Sequence, residues 1–390
     1  MLILRIVFIS LVILSFTFLL PATMTKLGWG YWTHFSQQAD SFLEGKLDIA
    51  KQMDAVPYNG RYYWHQQPFP SIILLPFKFF WKSFDQSTMQ TFLVILLCLL
   101  LYKITRLYIK TISHSILLVI VFMFGSPILG LILNPSSWYY AQLITVVLMV
   151  GLILEMETKK RPILMGTLLA FILATRPTAG LIIIPILYLL NKRRTSETAK
   201  NLLIFIVPVL FTILGLLFFN YIRFNDIFYN AYVSSNAGGV MPYLRSFGLL
   251  SIEHIPTNLY NYFLISVSPV TDRSGAHLVF PYITYSTWGI SLFLMAPFFL
   301  YSLKSFFIKE KIIQFYWLVI FLNLSFLMLF FAPGWVQFGP RYTADFLPIL
   351  YLLILKGLHS NKLTTKQELL IILSSLFNIY LYTTPFFIPH

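Results

Sequence analysis

The chain has 390 residues, of which 58% are hydrophobic and only 11% charged, with a mean hydropathy of +0.76. That composition excludes a soluble globular protein, because uncharged apolar runs as long as a bilayer core is thick recur throughout. The formal net charge of +14 invites a nucleic-acid reading, but the basic residues fall in short clusters between apolar runs.

The N-terminal stretch MLILRIVFISLVILSFTFLLPATM has no A-x-A-like cleavage site and is expected to be a first membrane helix over about 5–23. A long polar loop, roughly 23–86, follows. Within it residues 34–44 predict an amphipathic interfacial helix with Ala39, Phe42 and Leu43 on its apolar side. Asn59-Gly60 marks a turn. PFPSIILLPF (68–77) is apolar, interrupted by proline and too short to span, which suits a re-entrant or interfacial segment. The loop carries four carboxylates, Asp40, Glu44, Asp48 and Asp54, and two histidines, His34 and His65. Neither histidine has metal-ligand spacing, and no D-x-D pair is present.

Further spans are expected at about 87–103, 112–133, 137–156, 162–175, 177–191, 201–221, 283–302, 312–332, 344–357 and 368–387. The uncharged run 111–154 is long enough to cross twice, and Asn134-Pro135-Ser136 is its natural break. The fold class is therefore an all-α polytopic membrane bundle of about 11 spans. It divides into an N-terminal module, 1–221, and a C-terminal part, 222–390, that begins with a second outer loop over 222–281. With the N-terminus inside, the inner segments hold 17 Lys/Arg against 5 acids and the outer ones 11 against 9. Basic residues favour the cytoplasmic side, so the charge is a topology signal. Cys98, the one cysteine, lies in an apolar run, which excludes a disulfide.

Stretch 162–175 reaches only about 21 Å as a helix, against roughly 30 Å of hydrocarbon. Its end at Arg176-Pro177 leaves a charge below the outer surface, where it is expected to line a polar cavity with a partner. GWVQFGPRYTADFLP (334–348) places Arg341 at the same depth, just before another short span. Arginines beside helix N-termini suit a phosphate. The plainer alternative pairs Arg341 with Asp345, four residues on, or lets it snorkel to headgroups; under the phosphate reading Asp345 caps the next helix and orients Arg341. Transfer chemistry here needs a general base, and Asp54, beside Tyr58, Tyr62, Tyr63 and Trp64, is preferred over Asp40.

SFLEGKLDI (41–49), MDAVPYNGRYYW (53–64), ATRPTAG (174–180), NYIRFNDIFYNAY (220–232) and GWVQFGPRYTADFLP, in that order, resemble a bacterial branch of the GT-C superfamily of membrane glycosyltransferases. The resemblance implies a polyprenyl-phosphate-linked sugar donor at the outer leaflet, inversion at the anomeric carbon, and a glycan, lipid or protein acceptor. It implies an envelope protein of a bacterial plasma membrane whose partners are membrane lipids and not nucleic acid. Asp54 matches the family's loop base and Arg341 and Arg176 its phosphate-facing arginines; Tyr58, Arg61, Tyr63, His65, Gln337 and Tyr342 are the expected substrate contacts. Many members carry an Asp-Glu pair soon after the first span. Here TKLGWGYWTHFSQQAD has no acid before Asp40, so the base stays open between Asp54 and Asp40. No cofactor is expected, with a divalent metal left open. Arg223, Arg245 and Asp272 lie in the second outer loop, which reads as a solvated loop or a lid over the site. A ligase for preassembled lipid-linked glycans and a lipid or glycan flippase are the rival readings.

Overall fold

In the computed structural model, residues 32–191, 196–235, 238–358 and 362–388 are described. The expected first span, 5–23, lies outside them. The helices are α1 (His34–Leu43), α2 (Phe69–Ile72), α3 (Leu75–Phe80), α4 (Gln86–Tyr108), α5 (Ile112–Phe124), α6 (Ile128–Leu133), α7 (Ser137–Glu157) and α8 (Pro162–Leu173). Then come α9 (Ile183–Asn191), α10 (Ser196–Phe224), α11 (Met241–Ser246), α12 (Ile255–Leu259), α13 (Leu292–Met295), α14 (Lys311–Leu329), α15 (Leu347–Gly357) and α16 (Thr365–Thr383). Two antiparallel hairpins, β1 (Ala55–Tyr58) with β2 (Arg61–Trp64) and β3 (Ser268–Thr271) with β4 (Leu278–Thr284), complete the regular structure.

Five of these helices, α4, α7, α10, α14 and α16, are long and apolar enough to cross a membrane, and shorter apolar helices accompany them. The chain is an integral membrane protein. Local chemistry fixes the helix starts. The Asp85 carboxylate accepts from Thr88 N–H at the head of α4, and Thr364 with Gln367 forms a capping box on α16. α7 and α15 form the middle of the bundle: nearly every α15 side chain is buried, including Leu352, Leu353 and Ile354 at 0% exposure. α10 is the opposite case, the most hydropathic of the five long helices yet exposing most of its apolar surface, as a helix facing lipid should. Gly166 lets α8 lie against α10, since a Cβ there would sit 2.2 Å from the Phe205 carbonyl oxygen.

The break at Asn134-Pro135-Ser136 lies between α6 and α7 as expected, and an additional bend at Gly125–Pro127 separates α5 from α6. α1 occupies the expected interfacial helix, but its buried side is His34, Phe35, Gln38 and Ala39, while Leu43 is 44% exposed. The expected span 283–302 is not one helix. β4 runs to Thr284, Gly289 turns at φ 84 against the backbone of Phe338, and a 3-10 stretch, Pro297–Phe307, starts only after α13. The missing Pro297 N–H and the left-handed glycine interrupt a helix that hydropathy alone would draw through.

Candidate active site

The first hairpin sets the position of Asp54. Asn59 (φ 48) and Gly60 (φ 75) form a two-residue turn of the primed kind that matches strand twist. The resulting register pairs Ala55 with Trp64 and Tyr58 with Arg61. Asp54 immediately precedes β1 in a left-handed conformation, φ 61, which aspartate tolerates better than most residues. Two imidazoles clamp this turn through consecutive carbonyls. His34 Nε2 lies 2.8 Å from Met53 O and His65 Nδ1 3.0 Å from Asp54 O. Trp64, fully buried, stacks on His34 with 3.8 Å between ring centroids. Burial lowers the His34 pKa to about 4 and the His65 pKa to about 3, so both rings are neutral at physiological pH.

The Asp54 side chain enters a cavity of about 330 Å³ shared with Trp138, Tyr139, Arg245, Trp335 and Arg341. Burial raises its pKa to about 6, against the opposing fields of Arg245 and Arg341 and a hydrogen bond from Trp138. Arg341 is 8% exposed, and its Nε and Nη1 have no hydrogen-bond partner among the described residues. Its guanidinium lies over the rings of Tyr139 (4.9 Å) and Tyr342 (5.1 Å). Arg245 is held by the carbonyls of Val233 and Ser235, and its Nε is likewise unpartnered. Ser235, Gly239, Met241 and Arg245, from the stretch after α10, line this cavity too. Gly239 (φ 61) crosses Trp335 so closely that a Cβ would meet the indole at 2.3 Å.

A second cavity, about 560 Å³, lies beyond Trp138, Tyr232 and Tyr342, which line both spaces. Arg176 lines it and is paired there with Asp345. Its Nε and Nη2 donate to the two Asp345 carboxylate oxygens at 2.7 and 2.9 Å, and Thr178 Oγ1 donates to the same carboxylate at 2.6 Å. This corrects the expected role of Asp345. It pairs with Arg176, 169 residues away, instead of Arg341, and α15 has no side-chain cap. Arg176 is thus neutralised, whereas Arg341 and Arg245, lining the first cavity, each keep buried donors with no partner among the described residues.

The remaining expected residues divide. His65 and Tyr342 line the cavities. Tyr58 donates to Phe224 O and Tyr63 packs on the Phe224 ring, both outside them. Arg61 is exposed, 3.8 Å from Asp48. Gln337 is a backbone brace, donating to Trp288 O and Pro333 O and accepting from Arg341 N–H. Asp40 is half exposed, forms an ion pair with buried Lys78 at 2.7 Å and lines neither cavity. Among the described residues no three His, Cys, Asp or Glu side chains group as a metal site. Gln142, buried on α7, had no local signal in the sequence; it lines the second cavity one turn below Trp138.

No protein-family model and no curated protein matches the sequence, but solved structures share its fold, among them two at a TM-score of 0.50. The crystal structure of ArnT from Cupriavidus metallidurans bound to undecaprenyl phosphate is 9% identical with a TM-score of 0.50, covering 92% of this chain and 61% of ArnT. The Archaeoglobus fulgidus oligosaccharyltransferase in its apo form is 12% identical with a TM-score of 0.50, covering 98% of this chain and 55% of that one. The chain therefore spans less than two thirds of either protein's length. The chain thus shares the overall fold of ArnT and of the archaeal oligosaccharyltransferase.

Proposed function

We propose that the protein is a membrane glycosyltransferase that moves a sugar from a polyprenyl-phosphate donor to an acceptor hydroxyl on the outer face of the membrane, with inversion. The observation that carries this reading is one cavity holding both a base and unpartnered cations: Asp54 with a raised pKa, facing Arg341 and Arg245. The Asp54 carboxylate takes the acceptor proton, and the acceptor oxygen forms its bond to the anomeric carbon. The bond between that carbon and the phosphate oxygen breaks, and its electron pair stays on polyprenyl phosphate. A pKa near 6 leaves Asp54 mostly ionised at neutral pH yet more basic than an ordinary carboxylate. Charge building on the leaving phosphate is met by guanidinium groups already in place.

ArnT was crystallised with undecaprenyl phosphate, which supports the same lipid class here. Asp40, tied to Lys78 and outside both cavities, is the weaker candidate for the base. Arg341, with Arg245 in place of Arg176, is the stronger phosphate pair. A flippase would favour ionisable groups near mid-membrane. Here Asp54, Arg245 and Arg341 gather at one end of the bundle, about 29 Å along α7 from the Glu157–Lys356 pair at the other. The test is turnover of polyprenyl-phosphate sugars by the purified protein in lipid. Transfer that drops at least a hundredfold in Arg341→Ala supports the assignment; full activity in that variant removes it.

A further inference from the structure

The second cavity offers chemistry of a different kind from the first. Its charged residues are already engaged: Arg176 by Asp345, and Arg223 by Trp64 O, Phe219 O and Asn220 Oδ1. What is unmet there is neutral. Gln142 is fully buried on α7, and neither its amide nitrogen nor its amide oxygen has a partner among the described residues. His65 Nε2 is also buried without a partner. Because His65 Nδ1 faces the Asp54 carbonyl, which can only accept, that nitrogen carries the proton and Nε2 presents a lone pair. A buried polar atom left unpaired is destabilising, and three such atoms border one space.

Their pattern is selective. A phosphate or carboxylate brings only acceptors and leaves His65 Nε2 and Gln142 Oε1 unmet. A hydroxyl donates and accepts at once, so a ring bearing several hydroxyls satisfies the set. Trp138, Tyr232 and Tyr342 supply the aromatic wall against which a sugar's apolar face packs. The same wall separates this space from the Asp54 cavity, which places bound sugar next to the base.

We infer that the second cavity is a saccharide subsite for an uncharged sugar, and that Gln142 is its hydroxyl-reading, specificity-determining residue. The inference rests on the transferase reading for the presence of a sugar. The sugar belongs either to the donor or to the acceptor, and the experiment tells these apart.

The test is native mass spectrometry and thermal melting of the full-length protein and of Gln142→Leu and Arg341→Ala. The probes are a short polyprenyl phosphate, the same lipid carrying mannose, glucose, galactose, N-acetylglucosamine or arabinose, and the matching methyl glycosides added with the bare lipid. Wild type should prefer at least one sugar-bearing probe about tenfold or more, and Gln142→Leu should bring that preference to within about twofold without weakening the bare lipid. Loss on the glycosylated lipids assigns the donor sugar, and loss on the glycosides assigns the acceptor. Gln142→Leu should melt no lower than wild type, since leucine leaves no unpaired amide. No sugar preference in wild type, or one that Gln142→Leu retains, overturns the inference; a variant that melts lower with its preference intact shows a structural glutamine. Bare-lipid binding lost in Arg341→Ala supports the transferase reading separately, and bare lipid that never binds counts against that reading.

Discussion

Replacing Asp54 by asparagine separates a residue's cost to the fold from its use in chemistry. Asparagine preserves the shape and tolerates the left-handed backbone at φ 61. Burial raises the pKa from 3.8 to about 6, which corresponds to about 3 kcal/mol of preference for the neutral form. The sign follows from linkage. Between those two values the folded protein binds the proton more tightly than the unfolded one. The fold is therefore most stable below about pH 4 and loses that contribution as pH rises through about 6. The substituted amide carries no charge at any pH, so Asp54→Asn should melt several degrees higher than wild type at pH 8 and together with it at pH 4. Turnover should fall by about 10²–10⁴, the range for removing a general base. Wild-type kcat/KM should rise about tenfold per pH unit and level off above about 6. Matched melting and transfer assays over pH 4–8 check both parts. A variant that keeps more than a tenth of the activity, or that melts lower at pH 8, refutes the reasoning.

The two arginines should fail differently. Arg176→Ala leaves the Asp345 carboxylate, 2% exposed, without its bidentate partner and should cost about 3–5 kcal/mol of stability. Arg341→Ala breaks no such bidentate pair, so its melting temperature should hold while turnover falls about 10²–10³; equal melting losses in both variants would refute this division. Gly166→Ala pushes a Cβ to 2.2 Å from Phe205 O, and forcing α8 from α10 should cost about 1–3 kcal/mol in a melting assay. Gly239→Ala meets Trp335 at 2.3 Å and strains a left-handed residue; it should raise KM more than it lowers the melting temperature, read by steady-state kinetics.

Much of the fold was legible because hydropathy and proline act locally. The proline at 135, the Asn-Gly turn and the helix over 34–43 each depend on a few neighbouring residues. The span drawn over 283–302 fails because apolar content does not report the left-handed turn at Gly289 or its contact with the backbone of Phe338. Within the site, Asp54 and Arg341 stood out as charges beside apolar runs. The partner of Asp345 did not: the i, i+4 spacing pointed to Arg341, while the ion pair closes over 169 residues. Arg245 looked like any arginine of a solvated loop until that loop folded over Trp335. Gln142 sits amid apolar residues of α7, and nothing in the spacing marks a lone amide as unpaired.

Base and cations come from distant parts of the chain. Asp54 precedes the first hairpin, while Arg245 and Arg341 follow the lipid-facing α10. On the transferase reading neither stretch owns the reactive centre, which forms only where they meet. An ångström of slippage between reacting groups can cost about a hundredfold in rate. On that reading, whatever alters how the two stretches seat together, whether bilayer thickness, lateral pressure or a lipid wedged beside α10, acts directly on the proposed transfer. The surrounding membrane would then control the proposed reaction without touching a single reacting group.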